Sequence, residues 1–246
     1  MLSNAPSSPW IRRFHPAPEA ARRLVLLPHA GGSASFFFPL SRALAPTVDV
    51  LAVQYPGRQD RRGEECVDDL DTLADLVAAE LSTWTDRPTA LFGHSLGAAL
   101  AFEVARRLED RGVVPTKLFV SGRRAPADQR EDAVHLLPDD ALVKTAKQLA
   151  GDEIQVPDDE VLRVALPAIR ADYKAVETYR YRPGPLLAAP VVALTGREDP
   201  KVTPGEAGRW SQYTTGGFDL WVFDGGHFYL VRRLDRIAAL LRETLG

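Results

Sequence analysis

A serine hydroxyl becomes a useful nucleophile only where the chain presents it sharply, and Gly93-His94-Ser95-Leu96-Gly97 has the pattern for it. The apolar run Ala90-Leu91-Phe92 precedes this pentapeptide, and the helix-forming stretch Ala98 to Leu108 follows. Glycines two positions either side of the serine allow a tight strand-to-helix turn that lifts the hydroxyl above a sheet. The new helix then aims free N–H groups at negative charge developing beside that hydroxyl. A glycine-rich turn that merely packs tightly is the bland alternative. Flanks of both required kinds favour the nucleophile.

Such a serine needs a base. The histidines are His15, His29, His94, His135 and His227. In a strand–elbow–helix fold the partners follow in the order serine, acid, histidine, which selects His227 in Gly225-Gly226-His227-Phe228, after the last apolar run. His29 and His94 read as loop and elbow residues beside the site, and His15 and His135 belong to no constellation. The acid is expected in Gly196-Arg197-Glu198-Asp199-Pro200. Asp199 is preferred to Glu198 because Pro200 restricts its backbone, with Asp128 a distant third. Its task is to hold the imidazole in the productive tautomer. The competing reading of either carboxylate is a solvated loop charge.

Two N–H groups must meet the oxygen of a tetrahedral intermediate. Leu96, directly after the serine, supplies one. Ala30, in the glycine-rich loop His29-Ala30-Gly31-Gly32, is expected to supply the other, against a simple turn as the alternative. His29, Gly31, His94 and Phe228 are the expected neighbours of bound substrate. Cys66 has no base near it in sequence and reads as a packing residue. Paired arginines recur, among them Arg12-Arg13, Arg61-Arg62 and Arg123-Arg124. Most read as solvated faces, and one or two as partners for an acidic group or a phosphate.

These residues need a frame. Apolar runs at Leu24–Leu27, Val48–Val53, Ala90–Phe92, Leu118–Val120, Val191–Leu194 and Phe218–Phe223 alternate with helical patterns. Val67, Leu70, Leu73, Ala74, Val77, Ala78 and Leu81 share one helical face, as do Leu234, Ile237, Ala238, Leu241 and Leu245. Nearly continuous apolar strands between helices predict a doubly wound α/β fold with a mostly parallel sheet covered on both faces. The stretch from about 125 to 190 lacks a convincing strand. It carries helical patterns at Asp139–Ala150 and Asp158–Tyr179, the second expected to be interrupted at Pro167. A helical insertion of that kind predicts a lid on one domain spanning 1–246. The first 20 residues are expected to lie loosely on the surface, except around Trp10 to Phe14.

Composition narrows the class without naming the chemistry. The chain has 246 residues, 45% hydrophobic and 26% charged, with a net charge of -3. That balance disfavours nucleic acid and anionic membranes as partners. No apolar run approaches the ~18 residues of a membrane span, and the N-terminus has no apolar core of a secretory signal. A single cysteine fits a reducing cytoplasm. A start at Met1 and an end just after the last helix lead us to expect a free-standing chain, with monomer the default.

Taken together, the motifs resemble the discrete type II thioesterases of polyketide and nonribosomal peptide biosynthesis, which have the α/β-hydrolase fold. Pro28-His29-Ala30-Gly31-Gly32 is similar to the family's oxyanion loop, with Leu27 where Phe is usual. Tyr55-Pro56-Gly57-Arg58 with Arg61 resembles its Pro-Gly-Arg loop, and Ser121-Gly122-Arg123-Arg124-Ala125-Pro126 the strand end that opens its lid. Asp172-Tyr173 through Tyr179-Arg180-Tyr181 is similar to its lid exit, while the segments around Ser95, Asp199 and His227 match its elbow, acid and base loops. The resemblance implies hydrolysis of aberrant or stalled acyl groups from the phosphopantetheine thiol of an acyl or peptidyl carrier protein. It calls for no metal and no cofactor.

Three rivals remain open at this level. A medium-chain fatty acyl carrier protein thioesterase would tolerate the same motifs. A carboxylesterase or lipase shares the catalytic set and differs in substrate. A catalytically idle hydrolase fold used as a binding module has no need of all three of Ser95, Asp199 and His227.

Overall fold

The computed structural model describes residues 8–128, 130, 132–155 and 158–246. Seven strands form one sheet: β1 (Ile11–Arg12), β2 (Arg23–Leu27), β3 (Asp49–Val53), β4 (Thr89–His94), β5 (Leu118–Ser121), β6 (Val191–Gly196) and β7 (Phe218–Phe223). Their spatial order is β1-β3-β2-β4-β5-β6-β7, with β1 antiparallel to β3 and every other pair parallel. This is the α/β-hydrolase arrangement, and β4, the elbow strand, sits at its centre.

The strands are apolar throughout because they have two covered faces. Alternate residues point to opposite sides, so Val25, Leu27, Leu51, Val53, Leu91, Leu118 and Val120 join one core. Those residues pack with α2 (Leu70–Leu81) and α3 (Leu96–Asp110). Leu24, Leu26, Val50, Ala52, Phe92, Phe119, Val192 and Leu194 face the other way. They meet α1 (Phe38–Leu44) and the C-terminal α8 (Leu234–Leu245). Helix α2 begins at Leu70 and leaves Val67 outside, because the Asp69 carboxylate accepts the Thr72 N–H at 2.7 Å and caps the helix there. The edge strand β7 is covered poorly, and Leu220 and Trp221 stay exposed.

Between β5 and β6 lie α4 (Asp139–Ala150) and α5 (Asp159–Thr178). Leu142, Val143, Leu162, Leu166 and Ile169 pack with Val134 into a separate small core. The expected break at Pro167 does not occur, and α5 runs through it. Proline removes one hydrogen bond, to the carbonyl four residues back. Pro167 is on the exposed face, while its neighbours Leu166, Ala168 and Ile169 are buried and hold the helix. Short helices α6 (Pro204–Gly208) and α7 (Tyr229–Arg232) complete the chain. The N-terminal stretch is less loose than expected. Ile11 and Arg12 pair with β3, and Ala17 and Ala20 are buried. Residues 1–7 lie outside the described part. No helix among the described residues is long and apolar enough to cross a membrane.

Candidate active site

Ser95 stands between β4 and α3 with φ 57° and ψ -115°, a backbone that L-residues avoid. The surroundings enforce it. A Cβ on Gly93 would come within 1.9 Å of the Gly97 carbonyl oxygen, and one on Gly97 within 2.0 Å of the Leu27 oxygen. Both obstacles are backbone, so only glycine fits at either position. The Ser95 N–H donates to the Ser121 carbonyl at 2.8 Å, tying the elbow to β5. Leu96 is the first residue of α3, so its N–H has no intrahelical acceptor.

His227 follows β7 and is buried, with its Nδ1 at 3.0 and 2.9 Å from the two Asp199 carboxylate oxygens. Its Nε2 is buried without a partner among the described residues. The Lys201 N–H donates to Asp199 Oδ1 at 2.8 Å, which further orients the acid. Glu198, the rejected alternative, instead accepts the Gly225 N–H at 2.6 Å. Asp128 pairs with Arg209 at 2.9 Å, away from the histidine.

A chamber is walled by Ser95, Leu96, Ala30, His29, His227 and Phe228 together with residues of α4 and α5. Leu149 comes from α4, and Tyr173, Val176 and Glu177 come from α5. Ala30 and Leu96 thus share the space above Ser95. The next amide, that of Gly31, donates to Asp172 of α5 at 2.7 Å. Gly31 has φ +73°, and a Cβ there would meet Ile169 of α5 at 2.6 Å. It faces α5 and is not among the chamber's walls.

His94 is also absent from the chamber's walls. It is fully buried beneath the base, with its ring centroid 5.0 Å from that of His227. Its Nδ1 lies 2.9 Å from Ser121 Oγ, which in turn lies 2.7 Å from the Tyr229 hydroxyl. It packs against the base and is tied to β5 through Ser121. His29 does line the chamber, wedged edge-on between Phe36 and Phe228. Burial, then the charges of His227 and Arg58, press the His29 pKa down to about 3. Burial first, and the two neighbouring histidines next, hold His94 well below its ordinary value. The two imidazoles near the base are therefore neutral at physiological pH.

Two supports come from residues to which the sequence reading gives no role. Glu153, between α4 and α5, accepts the Gly226 N–H on Oε1 and the Phe228 N–H on Oε2, each at 2.8 Å. Glu153 thus fastens the residues on both sides of His227. Arg58 and Asp172, 114 residues apart, form a buried ion pair beside the Ala30 loop. Cys66 packs against Gly57, where a Cβ would come within 2.2 Å of its sulfur, and burial raises its thiol pKa. Among the described residues no His, Cys, Asp and Glu cluster could hold a metal ion.

The chain is similar to known proteins along nearly its whole length. The thioesterase domain family matches residues 22–245. Thioesterase PikA5 of Streptomyces venezuelae is 54% identical over 230 residues, covering 92% of this chain and 82% of the relative. A probable cadicidin biosynthesis thioesterase of Streptomyces griseus is 52% identical over 96% of this chain, which spans 66% of that protein's length. The solved type II thioesterase BorB, from the borrelidin biosynthetic cluster, superposes with a TM-score of 0.95 at 53% identity, covering 99% of this chain and 100% of BorB. By sequence along nearly its whole length and by shape, the chain belongs to the thioesterase domain family, and it is a hydrolase of thioesters.

Proposed function

We propose that this chain is an editing type II thioesterase. It clears aberrant or stalled acyl groups from the phosphopantetheine arm of an acyl or peptidyl carrier protein in polyketide or nonribosomal peptide synthesis. It works as a cytoplasmic monomer, with the helical segment over about 125–190 as its lid. The observation that carries the catalytic part is the His227 imidazole, fastened at Nδ1 by Asp199 and free at Nε2, in one chamber with Ser95.

In this reading Ser95 Oγ attacks the thioester carbonyl as His227 Nε2 takes its proton. The Leu96 and Ala30 amides hold the oxyanion. The imidazolium returns the proton to the departing thiolate, and Asp199 stabilises the cation meanwhile. Water activated by the same histidine then attacks the acyl-serine and frees the acid. Every proton is accounted for by one imidazole, so the cycle requires no metal or cofactor.

The test is hydrolysis of one short acyl group on three carriers: carrier protein thioester, small-molecule thioester and activated oxygen ester. Carrier-bound thioester should show much the highest kcat/KM, and Ser95→Ala should abolish turnover. A preference for the oxygen ester, with no gain from the carrier protein, would make the chain a general esterase.

A further inference from the structure

The chamber holds a cation that the hydrolytic cycle does not use. Arg123, Arg124, Arg130 and Lys201 all contribute to its wall, against the carboxylates of Asp132 and Glu177. Those carboxylates are already engaged. Glu177 accepts the Val134 and His135 amides at 3.0 and 3.1 Å and lies 2.5 Å from His135 Nδ1. Asp132 is divided between Arg124 at 3.7 Å and Lys201 at 3.5 Å. Arg130 pairs with Glu206 at 2.8 Å. Among the described residues, the Arg123 guanidinium has neither an ion pair nor a hydrogen bond.

Arg123 is also held in place. Its carbonyl accepts the indole N–H of the fully buried Trp210 at 2.8 Å. Gly122, one residue before it, donates its N–H to the Leu194 carbonyl at 2.9 Å. A Cβ on that glycine would lie 3.3 Å from His227 Cε1. The backbone is thus anchored beside the base, and the half-buried side chain opens on the same chamber as Ser95. Burial, and next the like charge of Arg124, lower the Arg123 pKa to about 10, which still leaves it cationic at neutral pH. A desolvated, unpaired cation is costly to keep, and a guanidinium fork fits a carboxylate or phosphate through two parallel hydrogen bonds.

We infer that Arg123 is a specificity residue that receives an anionic group of the thioester substrate within the chamber. Two parts of a substrate offer that chemistry: a carboxylate on the acyl group, or the phosphate of the pantetheine arm. The inference rests on Ser95 and His227 being the reacting residues.

The experiment measures kcat/KM for acetyl- and malonyl-pantetheine and for the same acyl groups on 4′-phosphopantetheine. In Arg123→Gln, either the malonyl-to-acetyl ratio or the phosphopantetheine-to-pantetheine ratio should fall about tenfold or more. Loss of the first names the acyl carboxylate as the ligand, and loss of the second names the phosphate. Ratios are insensitive to partial loss of folded enzyme, which scales all substrates alike. Arg123→Lys, which keeps the charge and loses the fork, should give an intermediate ratio and serves if the glutamine variant does not fold. Both ratios unchanged in the variants overturns the inference. Acetyl-pantetheine turnover by wild type, and its loss in Ser95→Ala, tests the catalytic reading separately.

Discussion

Arg58 and Asp172 meet in a two-pronged ion pair, Nη1 to Oδ2 at 2.7 Å and Nη2 to Oδ1 at 2.9 Å, with both side chains buried. The same Oδ2 accepts the Gly31 N–H, and Arg58 Nη1 also reaches the Gly32 carbonyl at 3.3 Å. One carboxylate on α5 therefore fastens the loop that carries Ala30. Removing its charge leaves Arg58 buried and unpaired, a loss of about 3–5 kcal/mol. Asp172→Asn should lower the urea midpoint accordingly. In whatever enzyme stays folded, kcat should fall more than KM rises, because the loop amide acts on the transition state. A stable variant with unaltered kcat would sever the ion pair from the oxyanion loop.

Asp199→Asn keeps the shape of the acid and loses its charge. The amide can donate to Nδ1, which places the imidazole proton on Nε2, where the base must be free. A fall in kcat of about 10⁴-fold is expected from the wrong tautomer. Single-turnover acylation is the measurement, and a change under tenfold would point to another residue as the orienting acid.

Glu153 offers a subtler test, since it contacts neither Ser95 nor the imidazole. Glu153→Ala frees the Gly226 and Phe228 amides and loosens the loop around His227. Misplacement of a catalytic group by about 1 Å can cost on the order of 10²-fold. We expect kcat to fall by about 10–100-fold, with Glu153→Gln closer to wild type because it keeps one acceptor. Equal activity in all three enzymes would show that Glu153 does not position the base.

The backbone at Ser95 is held in a conformation costing about 1–3 kcal/mol for a non-glycine residue. Glycine adopts it freely. Ser95→Gly should therefore abolish hydrolysis while raising the thermal midpoint. A lowered midpoint would mean that the hydroxyl contributes more to stability than the elbow takes away.

Acid should destabilise the protein through His29. Its pKa is about 3 in the folded state against an ordinary value of 6.5. Between these values the unfolded chain binds a proton that the folded chain excludes, so stability falls as pH drops from 6.5 towards 3. One such site contributes about 1.4 kcal/mol per pH unit. Urea unfolding at pH 6.5 and 5.0 should show wild type losing about 1–2 kcal/mol more than His29→Gln across that interval. Identical losses would leave His29 without a part in acid sensitivity.

The frame was legible because its cause is local. Apolar runs had to be strands of a doubly covered sheet, and the periodicity at Asp139–Ala150 and Leu234–Leu245 matches the helices to the residue. Pro167 was misread because packing of Leu162, Leu166 and Ile169 outweighs one missing hydrogen bond. Strand β1 was missed because two residues leave no periodic signal, and their pairing with β3 lies in the partner strand.

The positions of Ser95, Asp199 and His227 could be chosen from the sequence because a strand-to-helix elbow and the order of sheet loops are properties of the chain's succession. What the chain's succession does not contain is which distant side chains share a volume. Nothing in their spacing says that Glu153 holds the loop of His227, that Asp172 on α5 holds the loop of Ala30, or that the charge of Arg123 stays unpaired. Each acquires its meaning from contacts made across tens of residues. His94 shows the same limit in reverse, since an elbow position looked exposed to substrate until the fold covered it completely. Local succession decided the fold and brought Ser95, Asp199 and His227 forward as candidates, and tertiary packing alone decided what holds them and which charge the chamber leaves unanswered.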